Sequence, residues 1–352
     1  MNTEIKEKRK KGFLNIVAKP KIGFLGVGWI GRNRMESIAK SGLVEIMGIA
    51  DPSRELVQKA KELAPRAVGF SNLKEMLSLE LDGIVIATPS AMHAEQAIIA
   101  LENKLAVFCQ KPLGRNAKET TMVIQAARTA NRLLGVDLSY RYLKGMQRIK
   151  SILDNGDLGK IFAANLVFHN AYGPDKPWFY DPRLSGGGCV IDLGIHLIDL
   201  LLWLFKNPRV DTVSSRLFSQ GNILIDHNEA VEDFASSRID LSNGTSVNMT
   251  CSWKISAGCN AVIEASFYGT HGAVSVKNIN GSFYDFKAER YNGTAVEVLS
   301  EPPDDWGPRA ALRWSEMLVK NNGFNEEISD LANVASVLDR IYLNDEEIHE
   351  NT

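Results

Sequence analysis

An apolar strand that runs into Gly26-Val27-Gly28-Trp29-Ile30-Gly31 constrains this chain more than any other feature. Residues 22–27 read as a buried strand, a helix follows to about Ser41, and residues 44–50 read as a second strand. Asp51 ends that second strand, about 20 residues beyond the last glycine. The spacing G-x-G-x-x-G alone is a weak signal. Between a strand and a helix, with an acid at that distance, it is a dinucleotide-binding fingerprint. Gly26 makes the tight turn, Gly28 lets a pyrophosphate approach the backbone, and Gly31 lets the helix pack on the strand. The helix N–H groups then meet the anion, and Trp29 and Ile30 complete the cofactor-facing loop. Asp51 can accept hydrogen bonds from both adenosine ribose hydroxyls and repels a 2′-phosphate, which favours NAD over NADP. Arg54 could swing to meet a 2′-phosphate, so NADP stays open as the alternative.

The pattern continues as an alternation of strands and helices. Strands are expected at 67–70, 83–88, 105–109 and 133–138, with helices at 54–63, 72–79, 92–102 and 117–130. Asn116 reads as the N-cap of the last of these, with Glu119 as its capping-box partner. Apolar strands of this length alternating with helices imply a doubly wound parallel sheet over residues 21–142. From 143 the pattern changes. A helix over 143–154 stops at Asn155-Gly156, and a strand over 161–169 leads into a Gly/Pro/Asp-rich loop at 171–187. A helix of about 18 residues starts at Gly188. Residues 210–286 read mostly as strands, and a helix over 325–342 ends the fold. The second domain, 143–345, is therefore expected to be α/β with a large open, mainly antiparallel or mixed sheet.

Composition narrows the classes. The 352 residues carry 40 basic and 42 acidic side chains, a formal net charge of −2. That balance offers no global electrostatic case for nucleic acid or an anionic membrane. Four cysteines with no C-x-x-C pair point to a reduced, cytoplasmic setting. The longest apolar run, 197–205, is interrupted by Asp199 and falls short of the ~18 residues a membrane span needs. Residues 1–21 are the exception, with Lys6, Lys8, Arg9, Lys10, Lys11, Lys19 and Lys21 against Glu4 and Glu7. Residues 1–20 read as a solvated basic tail.

Three later segments, together with the fingerprint, make the chain resemble the Gfo/Idh/MocA family of sugar and cyclitol oxidoreductases. They are Ala87-Thr88-Pro89-Ser90 with His93, Gln110-Lys111-Pro112-Leu113-Gly114, and Gly186-Gly187-Gly188 through Asp192, His196 and Asp199. Val231-Glu232-Asp233-Phe234 through Gly272 looks like the family's sheet domain. The resemblance implies a Rossmann domain followed by an α/β domain whose open sheet builds homodimers or homotetramers. It also implies an NAD(P)-dependent oxidoreductase that moves a hydride between the cofactor and a ring hydroxyl or ketone of a sugar or cyclitol. One departure stands out: the family usually has Glu-Lys-Pro where this chain has Gln110-Lys111-Pro112. The lysine thereby loses a neighbouring negative charge.

The residues themselves allow that chemistry. Oxidising a secondary alcohol needs a base for the hydroxyl proton and a cation or donor for the developing alkoxide. On a regular helix, at about 100° per residue, Cys189, Asp192, His196 and Asp199 share one face of an otherwise apolar segment. By resemblance, His196 is the general acid/base and Asp192 helps hold the substrate hydroxyl or the imidazole. Lys111 is then the alkoxide stabiliser or a proton-relay member. Thr88 and Pro89 are expected to line the dinucleotide groove with Gln110, and His93 either caps its helix or touches the cofactor. Arg141, Trp178 and Tyr180 are substrate-facing candidates. Cys189, Asp192 and His196 could offer three zinc ligands, but no fourth is near in sequence, and no metal is expected. Two other readings stay open: a non-catalytic dinucleotide-binding sensor, and a reductase of a non-sugar carbonyl or imine.

Overall fold

The computed structural model describes residues 18–343, so most of the basic tail lies outside the described residues. Six parallel strands form the first sheet: β1 (Lys21–Leu25), β2 (Glu45–Ala50), β3 (Val68–Phe70), β4 (Gly83–Ile86), β5 (Ala106–Cys109) and β6 (Leu134–Val136). Their order, β3-β2-β1-β4-β5-β6, reverses direction between β1 and β4, which opens a crevice at the carboxyl ends of those two strands. The central strands β4 and β5 are buried along their whole length, because helices cover both faces. Those helices are α1 (Trp29–Ser41), α2 (Arg54–Lys61), α3 (Leu73–Met76), α4 (Ser90–Glu102) and α5 (Ala117–Ala130). Asn116 caps α5 through the N–H of Glu119, as the sequence predicts. The Glu119 carboxylate, however, accepts from the Arg115 N–H and its guanidinium, so the capping box is not closed.

The second domain begins with α6 (Lys144–Asp154) and β7 (Ile161–Asn170), followed by α7 (Pro182–Ser185), a π-helical turn (Val190–Gly194) and α8 (Ile195–Leu204). Then come β8 (Val210–Ser219), β9 (Asn222–Ile223), β10 (Phe234–Leu241), β11 (Ser246–Ser252), β12 (Ala261–Gly269), β13 (Gly272–Asn278), β14 (Phe286–Asn292) and β15 (Ala295–Ser300). They form one nine-stranded sheet, β15-β14-β13-β12-β7-β11-β10-β8-β9, antiparallel except where β7 runs parallel to β11. Helices α6, α8 and α10 (Leu331–Leu343) pack on one face. The other face presents polar side chains, with Asn165, Asn248, Ser236 and Arg238 exposed across its middle strands.

The structure corrects three sequence expectations. The helix expected from Gly188 is not one regular helix, since its first turn is π-helical and the α-helical part starts at Ile195. Residues 182–204 as a whole are long and apolar enough to span a membrane, but most of that stretch is packed inside the fold. An unexpected helix, α9 (Arg309–Lys320), returns to the first domain and packs against α1, β5 and β6. Its Trp314 is buried, with its ring centroid 5.8 Å from that of Phe108. Gly83 and Gly135 make the seat for this indole, since a Cβ at either would lie about 3 Å from it. The Rossmann domain is therefore completed by a segment distant in sequence.

Candidate active site

The glycine loop has the shape of a phosphate cradle. Gly26 is left-handed (φ +84°), and a side chain there would press on the Ala87 carbonyl. A methyl at Gly31 would overlap the Gly26 carbonyl oxygen, so helix and loop touch backbone to backbone. At Gly28 the opposite holds: a Cβ would meet nothing within 4 Å. Gly28 is also the N-cap of α1 and supplies no side-chain acceptor for its first N–H groups. Open space facing those donors fits a dinucleotide's pyrophosphate. Asp51 accepts from the N–H groups of Val27 (3.0 Å) and Ser53 (2.9 Å), so it braces the loop as well as ending β2. Trp29 is exposed beside the loop, Ile30 is half-buried, and Arg54 is exposed in the first turn of α2.

Two further loops meet at the carboxyl ends of β4 and β5. The Thr88 hydroxyl donates to Gln96 (2.6 Å), and Pro89 is the N-cap of α4. His93 is buried, with one ring nitrogen 2.7 Å from the Thr88 carbonyl and the other 2.6 Å from the Pro112 carbonyl. Each ring nitrogen thus faces a backbone carbonyl of the protein. His93 ties the groove loop to the lysine loop. Gln110 is likewise engaged within the protein. Its buried amide donates to Asp137 (2.5 Å), whose carboxylate also takes the Arg34 guanidinium (2.6 Å) and the Ser139 hydroxyl.

Lys111 reaches across to the second domain. Its ammonium donates to the Asp192 carbonyl (2.5 Å) and carboxylate (2.6 Å), and both side chains are mostly enclosed. The other Asp192 oxygen accepts from the indole N–H of Trp253 (3.1 Å), a residue the sequence reading does not single out. His196 lies on the next turn, half-buried, with its Nδ1 enclosed and without a hydrogen-bond partner. Its ring packs on Tyr140 (4.8 Å between centroids) and Phe168 (6.3 Å). Burial, then the charges of Lys111 and Arg34, hold the imidazole pKa well below its ordinary value, so it is neutral at pH 7. A neutral imidazole beside a lysine ammonium and a carboxylate can take a proton from an alcohol and stabilise the oxygen left behind.

The rest of the expected stripe fans out to separate partners. Cys189 turns to Cys251 (3.8 Å between sulfurs), so it does not converge with Asp192 and His196 on one metal position. Among the described residues no group of three or more His, Cys, Asp or Glu side chains could hold a metal ion. Asp199 is buried and takes the Arg141 guanidinium through both oxygens. Trp178 stacks on Phe179, and Tyr180 meets the Trp253 ring edge-on at 5.7 Å, bringing loop 171–187 against the Asp192 side of the site.

Glu232 explains why three glycines precede this helix. Its buried carboxylate accepts the N–H groups of Gly188 (3.0 Å) and Val190 (2.8 Å) and the Tyr342 hydroxyl (2.9 Å), while its carbonyl accepts from Cys189 (3.0 Å). A methyl at Gly187 would overlap the Tyr342 hydroxyl, and one at Gly188 would overlap the Glu232 carbonyl. Gly186 is left-handed and lies against the Arg115 backbone. These glycines serve the anchoring of the helix, and a remote acid supplies its N-terminal cap.

Comparison with known proteins fits this geometry. The family model described as "Oxidoreductase family, NAD-binding Rossmann fold" matches residues 20–138, and the Gfo/Idh/MocA C-terminal domain model matches residues 146–275. The chain belongs to the Gfo/Idh/MocA oxidoreductase family. As a member it is an NAD(P)-dependent enzyme acting on a CH–OH group. Glucose-6-phosphate 3-dehydrogenase of Bacillus subtilis is 27% identical over 252 residues, 69% of this chain and 71% of that protein. D-glucoside 3-dehydrogenase of Escherichia coli is 24% identical over 237 residues, 64% and 68% of the two chains. Among solved structures, a levoglucosan dehydrogenase in complex with NADH and L-sorbose has a TM-score of 0.78 at 18% identity, covering 94% of this chain and 97% of that one. A 3-ketoreductase from Actinomadura kijaniata with NADP and TDP-benzene has a TM-score of 0.78 at 16% identity, covering 93% and 98%. These structural likenesses extend the Gfo/Idh/MocA fold over nearly the whole chain.

Proposed function

We propose that the protein transfers a hydride between NAD and a ring hydroxyl or ketone of a sugar or cyclitol, with Lys111, Asp192 and His196 as its catalytic residues. The observation that carries this is the Lys111–Asp192 pair at 2.6 Å with a neutral His196 one turn away, below the loops that face the dinucleotide crevice. When bound, the nicotinamide accepts or returns the hydride. The alcohol oxygen displaces part of the Lys111–Asp192 contact and takes a hydrogen bond from the lysine ammonium. His196 receives the hydroxyl proton during oxidation and returns it during reduction, and Asp192 orients lysine and substrate. Tyr140 and Phe168 keep water from the buried side of the imidazole. Carbohydrate and inositol dehydrogenases among the relatives support the substrate class.

Two finer points belong to this reading. Asp51, fixed by two backbone N–H groups, puts a carboxylate where a 2′-phosphate would sit, which favours NAD. The uncovered face of the large sheet is the contact surface between copies, and its polar character suits a hydrated interface. The test is nicotinamide absorbance against a panel of sugars and inositols with NAD and with NADP. The reading expects turnover with NAD on at least one of them, lost in Lys111→Ala. No turnover on the panel, or an unaffected variant, contradicts it.

A further inference from the structure

Lys254 directly follows the tryptophan that donates to Asp192, and its backbone is left-handed (φ +60°), a conformation a lysine adopts at a cost. Its ammonium is held 4.8 Å over the centre of the Tyr180 ring. Tyr180 is itself fixed, since its hydroxyl donates to the Pro174 carbonyl (3.0 Å) and its ring meets Trp253. Gly173 makes room for this stack: a Cβ there would lie 3.1 Å from the lysine Cε and would overlap the tyrosine hydroxyl. The long side chain is thus pre-placed, one indole and one phenol ring away from Asp192.

The charge of Lys254 is not answered by the protein. Among the described residues no carboxylate stands within ion-pair distance of it, and no acceptor takes its N–H donors. The other cations of the facing loop are matched locally, Lys176 by Asp175 (3.0 Å) and Arg183 by Asp181 (2.7 Å). An aromatic face attracts an ammonium but accepts none of its three N–H donors in the way an anion does. Lys254 is exposed, and an exposed cation pre-placed on the Trp253 side of Asp192 with free donors is a receptor for a negative group.

We propose that Lys254, with Tyr180, forms an anion subsite, so that the substrate is a sugar or cyclitol carrying a phosphoryl or carboxylate group. The inference rests on the proposed catalytic site and specifies its substrate class. It is tested with glucose 6-phosphate, glucuronate and glucose on the NAD-loaded enzyme, in wild type and in Lys254→Met and Lys254→Arg. The subsite predicts that one of the two anionic sugars has a kcat/KM at least about tenfold above glucose, mostly through KM. That preference collapses in Lys254→Met, is largely kept in Lys254→Arg, and weakens as salt rises. Which anion is preferred tells phosphate from carboxylate recognition. Equal use of glucose and both anions, or a preference that survives Lys254→Met, overturns the subsite. If none of the three sugars is oxidised, calorimetry separates the two readings. Anionic-sugar binding that Lys254→Met abolishes upholds the subsite while the hydride-transfer reading fails, and absence of such binding overturns the subsite as well.

Discussion

His196 shows how a side chain's surroundings set its chemistry. A histidine in water is half protonated near pH 6.5, whereas here burial and two cations favour the neutral form. The acid limb of kcat/KM for alcohol oxidation is therefore expected below pH 6.5. Lys111→Ala removes one of the cations, which makes the imidazolium easier to form. Besides slowing the reaction, it should move that limb upward, toward 6.5, in a pH–rate profile. A second residue-scale prediction concerns Gln110. Beside Asp137, which already takes Arg34, a glutamate would set two carboxylates against one guanidinium. Gln110→Glu should cost about 1–3 kcal/mol in thermal or denaturant unfolding. Gln110→Glu with Asp137→Asn should recover most of the loss, because the charge has only changed places. This chain carries at Asp137 a carboxylate beside the lysine loop, and the sequence could not show that contact because it joins residues 27 positions apart.

At the scale of elements, the helix bearing Asp192 and His196 is anchored from outside. Its N–H groups are capped by Glu232, and Tyr342 from α10 closes the cap. Gly188→Ala should cost upwards of about 1–3 kcal/mol, since its methyl must displace backbone, and should lower kcat along with Tm because the same turn positions Asp192. Tyr342→Phe should cost about 1–3 kcal/mol by leaving Glu232 short of a donor in a buried place. Calorimetric unfolding of both variants checks the pair. These elements also mark the limit of the sequence reading. The phosphate loop was legible because its demands are local: a left-handed Gly26, backbone contact at Gly31 and open space at Gly28 all lie within six residues. The three later glycines were legible only as a motif, since the groups they make room for lie as far away as Tyr342. The π-helical turn at Val190–Gly194 was hidden too, because it leaves no local signature in an apolar run and breaks the regular helix that the stripe assumed.

Over the whole molecule, the two domains meet through paired charges as well as through apolar packing. Lys111 and Asp192 join them at the chemistry, Arg141 and Asp199 do so beneath it, and α9 returns late in the chain to seat Trp314 in the first domain. The alternation of strands and helices made the doubly wound parallel sheet legible but not its strand order, whereas α9 went unread despite Ala310, Trp314 and Leu318 lying at helical spacing. A buried stripe that completes a distant domain looks the same in sequence as one that serves its own. The account's central claim is that this junction moves the substrate proton through His196. The most direct measurement is the turnover rate of His196→Asn at saturating NAD and substrate, with NAD affinity measured alongside by calorimetry. The account predicts a rate lower by about 10²–10⁴-fold with NAD affinity unchanged within about twofold. A rate within a few-fold of wild type would contradict it.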